Sequence, residues 1–127
     1  MVKVEAIGHL VLTVASVAIT RDFYERVLGM RAVTFGEGRT ALAFGRQKIN
    51  LHPAPNGYAP GAAYPTPGSA DLCLLTDIPL SRVITHLEDC GVEVEEGPVM
   101  RTGARGPIES VYLRDPDGNL IEIANAR

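Results

Sequence analysis

The chain has 127 residues, of which 46% are hydrophobic and 21% charged, enough apolar material for a core of ordinary domain size. A formal net charge of −3, with no run of Lys or Arg, excludes the basic field that nucleic-acid binding requires. The longest mostly apolar stretch, residues 10–19, falls short of the roughly 20 residues of a membrane helix, so no membrane span is expected.

In chain order, residues 6–14 are rich in Val, Leu and Ile and read as a strand. Residues 17–28 read as a helix, with Ile19, Phe23 and Val27 at four-residue spacing and Gly29 as its stop. Short strands follow at 31–35, 40–44 and 48–52, separated by glycine-bearing turns at 36–38 and 45–47. Residues 53–68 hold five of the nine prolines and show no period, which marks a linker. The order then repeats, with a strand at 70–76 and a helix at 79–90 carrying Leu80, Val83, Ile84 and Leu87 on one face. Further strands are expected at 92–95, 108–114 and 119–124, the last two joined by the turn Asp115-Pro116-Asp117-Gly118.

The pattern is strand-helix-strand-strand-strand, twice, in one α+β domain spanning 1–127. Module one covers about 1–53, the linker 54–68 and module two about 69–127. The two modules are expected to form a curved mixed sheet with the helices outside. Gly29 and Gly91 lie 62 positions apart, and so do His9 and Asp71. His52 and Glu122 lie 70 apart, which implies an eight-residue insertion in the glycine-rich stretch 97–107.

The repeat places His9, His52, Asp71 and Glu122 at equivalent strand positions. Each is flanked by Leu or Ile on the opposite strand face, so the polar side chains face away from the helices. Two imidazoles with one or two carboxylates suit Mn²⁺, Fe²⁺, Co²⁺, Ni²⁺ or Zn²⁺ better than Ca²⁺ or Mg²⁺. His9, His52 and Glu122 are the primary candidates and Asp71 the fourth. Glu122, or Asp71 if it is not a ligand, is also the candidate proton carrier. Arg101 and Arg105, in the glycine-rich stretch, are candidates to clamp an anionic substrate group. Tyr58 and Tyr64 in the linker are available to cover a ligand, Cys73 shares the strand parity of Asp71, and His86 is assigned no role. Cys73 and Cys90 form no C-x-x-C pair, and no basic segment followed by a hydrophobic one opens the chain. Reduced thiols in a cytoplasmic protein are therefore expected.

Three segments carry a resemblance to a known family. They are His9-Leu10-Val11-Leu12-Thr13-Val14, then Phe23-Tyr24-Glu25-Arg26-Val27-Leu28-Gly29-Met30, then Leu113 to Glu122 through Asp115-Pro116-Asp117-Gly118-Asn119. Together they resemble the vicinal oxygen chelate superfamily of glyoxalase I, extradiol dioxygenases, fosfomycin-resistance enzymes and bleomycin-binding proteins. Residues 97–108 look like a subgroup of short glyoxalase-domain proteins. The resemblance implies a paired βαβββ fold, a homodimer and a divalent metal, with His9 at the family's first ligand position and Glu122 at the last. Glyoxalase I places an acid at the His52 position and a His at the Asp71 position, so the two types are exchanged here.

The function expected is that of a metal-dependent lyase or isomerase of the glyoxalase type. Its substrate is a small molecule with two adjacent oxygens, a glutathione hemithioacetal being the guess by resemblance. The alternatives are an extradiol-type ring-cleavage dioxygenase on Fe(II), against which the absence of a His at position 71 counts, and a metal-free drug or metabolite binding protein.

Overall fold

The computed structural model describes all of residues 1–127, and its contacts divide the chain into two units, Met1–Pro67 and Gly68–Arg127. Each is one βαβββ module, as the repeat predicts. Unit one runs β1 (His9–Val14), α1 (Val17–Arg26), β2 (Arg31–Phe35), β3 (Arg39–Phe44) and β4 (Gln47–Pro53). Its sheet has the order β1-β4-β3-β2, with β1 parallel to β4 and the remaining pairs antiparallel.

Strand alternation sorts the side chains of this sheet. Leu12, Val14, Leu42, Ile49 and Leu51 are buried on one face. His9, Val11, Thr13, Lys48, Asn50 and His52 occupy the other. α1 starts where the Ser16 hydroxyl accepts from the Ile19 amide at 3.1 Å. Its buried stripe is Thr20, Tyr24 and Val27, whereas Ile19 is 60% exposed. The expected row Ile19-Phe23-Val27 advances four residues each time, 40° beyond a full turn at 100° per residue, so it winds off the buried face. The mixed spacing of four and three stays on it.

Unit two runs β5 (Asp71–Leu75), α2 (Leu80–Asp89), β6 (Glu96–Gly103), β7 (Gly106–Arg114) and β8 (Leu120–Ala126), with sheet order β5-β8-β7-β6. Leu80 and Leu87 of α2 are buried, as are Val111, Leu113, Ile121 and Ile123 of the sheet. The N-terminus of α2 has no cap from its own chain neighbour. Instead Asn125 of β8 accepts from the Leu80 amide at 3.0 Å and donates to the Thr76 and Ile78 carbonyls, both at 2.9 Å.

Two expectations need correction here. No strand forms at 92–95, and the extra residues of 97–107 do not form a loop. These residues build a β-hairpin whose strands have eight and nine residues, against five and six in β2 and β3. Gly97 and Pro98 read as breakers, but a bulge between Glu96 and Val99 absorbs them on an edge strand. Gly97 has φ +111°, and a Cβ there would stand 2.4 Å from the Ser110 carbonyl oxygen. Both helices have ten residues, and none is long and apolar enough to cross a membrane.

Candidate functional site

The candidate ligands of unit one sit on neighbouring parallel strands. β1 and β4 pair His9 with Lys48, Val11 with Asn50 and Thr13 with His52. His9 and His52 therefore share a face but are offset by four residues, about 13 Å along the strands. Asn50 lies between them. It is only 8% exposed, and its Oδ1 is fully buried with no hydrogen-bond partner. A buried acceptor is nearly always satisfied, so this oxygen calls for a donor or a cation.

The corresponding pairs in unit two are Asp71 with Leu120 and Cys73 with Glu122. The strand register thus corrects the internal repeat. Asp71 matches His9 and Cys73 matches Val11, so Glu122 matches Asn50 rather than His52. Matching the sequence on Ile49-Asn50-Leu51-His52 slips it by two residues, which preserves strand parity and so leaves no sign in the hydrophobic pattern. His52 stays on the candidate face, one pleat beyond the position that mirrors Glu122.

His52 has a built surround. The Tyr58 ring meets it edge-on at 5.1 Å, and the Arg39 guanidinium lies 4.2 Å over the Tyr58 ring. Gly57 passes so close that a Cβ would stand 3.1 Å from His52 Nδ1, and its φ of +57° also favours glycine. A cavity of about 410 Å³ opens beside the imidazole, lined by Val11, Thr13, His52, Pro60, Gly61 and Ala62. Burial, then the Arg39 charge, holds the His52 pKa below the usual histidine value. Its imidazole is therefore neutral at neutral pH, the form that binds metals. Tyr58 is a linker residue placed against the site, while Tyr64 is exposed.

On unit two, Glu122 Oε2 accepts a 2.6 Å hydrogen bond from the Ser110 hydroxyl, and Oε1 has no partner. Across the strands Glu122 pairs with Tyr112. The Tyr112 hydroxyl accepts from Arg101 Nε at 3.0 Å, and the rest of the Arg101 guanidinium is held by Glu96 Oε2 at 2.6 Å and the Met100 carbonyl at 3.1 Å. Arg105 stands exposed in the β6–β7 turn. Although Cys73 is an exposed residue, desolvation of its thiol, then the Glu122 carboxylate, pushes that thiol up to about 11. Asn50, Ser110, Tyr112 and Arg39 were missed by sequence reasoning. Only the parity of Asn50 with His52 carried a signal in the sequence.

Within neither unit do three or more His, Cys, Asp or Glu side chains gather closely enough to hold a metal ion. Each unit nonetheless supplies donor types that suit such an ion. They are a neutral imidazole at His52, a second imidazole at exposed His9, an unpartnered amide oxygen at Asn50 and a free carboxylate oxygen at Glu122.

Comparison with known proteins adds family evidence. The family model described as Glyoxalase/Bleomycin resistance protein/Dioxygenase superfamily matches residues 6–123. The chain is 54% identical over 121 residues to Virulence protein STM3117 of Salmonella typhimurium, covering 95% of this chain and 84% of that protein. It is 50% identical over 123 residues to Glyoxalase domain-containing protein RDO1 of Mycosarcoma maydis, covering 97% and 69%. Among solved structures, the integron cassette protein VCH_CASS1 from the mobile metagenome of V. cholerae superposes with a TM-score of 0.97 at 56% identity. That match covers 100% of this chain and 99% of the other.

Proposed function

The chain belongs to the glyoxalase/bleomycin resistance protein/dioxygenase superfamily, and from that premise we propose that it is a divalent-metal-dependent lyase or isomerase acting on a small molecule with two adjacent oxygens. The observation that carries the reading is the set of uncommitted donors. Asn50 Oδ1 is buried without a partner, His52 is kept neutral, and Glu122 offers one free oxygen. His9, His52 and Glu122 are the proposed ligands, with Asp71 as the fourth candidate and Asn50 added by the strand register. Because His9 and His52 stand four residues apart along one sheet face, one ion takes only one of the two imidazoles from a given chain. The ion is one of Ni, Zn, Mn, Co or Fe.

An ion bound there supplies polarisation of the two substrate oxygens and stabilises the charge that develops on them. The remaining work belongs to the chain. Ser110 fixes Oε2 of Glu122, leaving Oε1 to accept or return the substrate proton. Asp71 takes that part if Glu122 is wholly committed as a ligand. Arg101 is already bound on three sides, so its contribution is to hold Tyr112 beside Glu122. Of the two hairpin arginines, Arg105, exposed in the turn, is the one left for a substrate anion. Pro60, Gly61 and Ala62 line the cavity beside His52. A glutathione hemithioacetal is the first substrate to assay. In this reading residues 1–127 act as one domain, in a cytoplasmic homodimer.

Metal analysis of the purified protein tests the proposal. One divalent ion per chain is expected, falling to near zero in His9→Ala and Glu122→Ala. Wild-type metal content in both variants would refute the ligand assignment.

A further inference from the structure

The polar face of the unit-one sheet carries three permanent cations, Arg31, Arg39 and Lys48, beside His9 and His52, and no Asp or Glu. Two of these cations are half-buried and neither has an acidic partner. The Arg39 guanidinium lies 4.2 Å from the Tyr58 ring centre, and Lys48 Nζ lies 4.1 Å from that of Phe35. The ion pairs of this unit, Arg21–Glu25 and Arg26–Asp22, are both on α1. Glu37, the acid closest to Arg39 in sequence, is exposed in the β2–β3 turn and joins no ion pair.

The register places the ring that Lys48 reaches directly across from Arg39. Phe35 is the direct cross-strand partner of Arg39. Lys48 pairs with Ala43, four residues along β3 from Arg39, so its side chain runs diagonally across the face to reach the Phe35 ring. Aromatic faces hold a cation in place without neutralising it. A guanidinium offers five N–H donors and an ammonium three, and here almost all remain unused. Two such cations on one face with no carboxylate there repel each other, and an anion accepting from both offsets that repulsion. We propose that Arg39 and Lys48 form a subsite for the oxyanion, carboxylate or phosphate, of a small-molecule substrate. The subsite rests on the small-molecule reading above for its ligand and does not depend on the metal.

The test titrates the full-length protein with inorganic phosphate and, separately, with succinate at constant pH and ionic strength, following backbone amide shifts by heteronuclear NMR. Saturable shifts centred on Phe35, Arg39 and Lys48 are expected, and the tighter of the two probes identifies the oxyanion. Arg39→Ala and Lys48→Ala should each weaken binding by about tenfold, the effect of losing a hydrogen bond to a charged group. Arg39→Lys, which keeps the charge, should recover part of the loss, and Arg82→Ala on the surface of α2 should change nothing. Absence of saturable shifts with both probes overturns the proposal. So does unchanged affinity in folded Arg39→Ala and Lys48→Ala proteins. Metal content measured on the same samples separates the two readings. Lost anion binding with wild-type metal content localises the effect to the subsite, whereas intact anion binding on metal-free protein refutes the ligand set alone.

Discussion

Cys73 and Glu122 are direct cross-strand partners, and their proximity has a measurable consequence. Desolvation of the thiol and the neighbouring carboxylate raise it to about 11, so at pH 8 well under 1% of it is thiolate, the nucleophilic form. Alkylation of Cys73 by iodoacetamide at pH 8 should therefore be slow, and its rate should climb with pH past 9. Glu122→Gln removes a negative charge and lowers the thiol pKa, so the variant should react faster at every pH below the wild-type value. Peptide mass spectrometry of timed samples separates Cys73 from Cys90, and an unchanged Cys73 rate in the variant contradicts the coupling. At the same scale, Asp115 and Asn119 show how much of a motif serves the fold. Asp115 Oδ1 accepts from the Asp117 and Asn119 amides, both at 2.9 Å, and Asn119 Oδ1 accepts from the Ala70 amide at 2.8 Å. The most family-specific run of the sequence thus closes the β7–β8 turn and ties it to the approach to β5, which fixes the strand that carries Glu122.

Among the elements, α2 depends on a cap from outside itself. Pro79 precedes it and offers no side-chain acceptor, so Asn125 supplies one from β8 and uses its amide nitrogen on two further carbonyls. Asn125→Ala leaves the Leu80 amide and the Thr76 and Ile78 carbonyls without these partners. A loss of about 1–3 kcal/mol in urea unfolding is expected. Asn125→Asp keeps the acceptor for the Leu80 amide but loses both donations, so its loss should be intermediate. Equal stability of Asn125→Ala and wild type would show that water replaces the cap at no cost. The β6–β7 hairpin is the other element that departs from the pattern of unit one. Its length lets Arg101 reach Tyr112 and Glu96 at one end and sets Arg105 in the turn at the other. Two arginines grouped by the sequence into one glycine-rich stretch therefore have different surroundings.

For the whole molecule, the donor inventory bears on assembly. In neither unit do three His, Cys, Asp or Glu side chains gather at one point, and His9 is exposed on the edge strand β1. A homodimer is the expected assembly state, and sedimentation velocity at micromolar concentration checks it. A single species of about twice 13.6 kDa is the expected result, and a monomer across the concentration range overturns it. If ligand sharing accompanies assembly, His9→Ala should lower metal content without changing the sedimentation coefficient.

The sequence by itself determined the repeated βαβββ order, both helices and which strand faces are polar. These follow from local causes: residue periodicity, helix caps and turn residues act over a few positions and need no distant partner. It also brought out His9, His52, Asp71 and Glu122, because parity alone separates them from the aliphatic residues beside them. The tertiary structure decided the register, and with it the equivalence of Asn50 and Glu122. A two-residue slip keeps every side chain on its own face, so only the backbone pairing distinguishes the alternatives. It decided that Gly97 and Pro98 lie within a strand, since a bulge on an edge is invisible to local propensity. It also placed Tyr58 and Arg39 against His52, and Ser110 against Glu122. Those contacts join residues on different strands and loops, and nothing in the periodicity of one element specifies what packs across it from another.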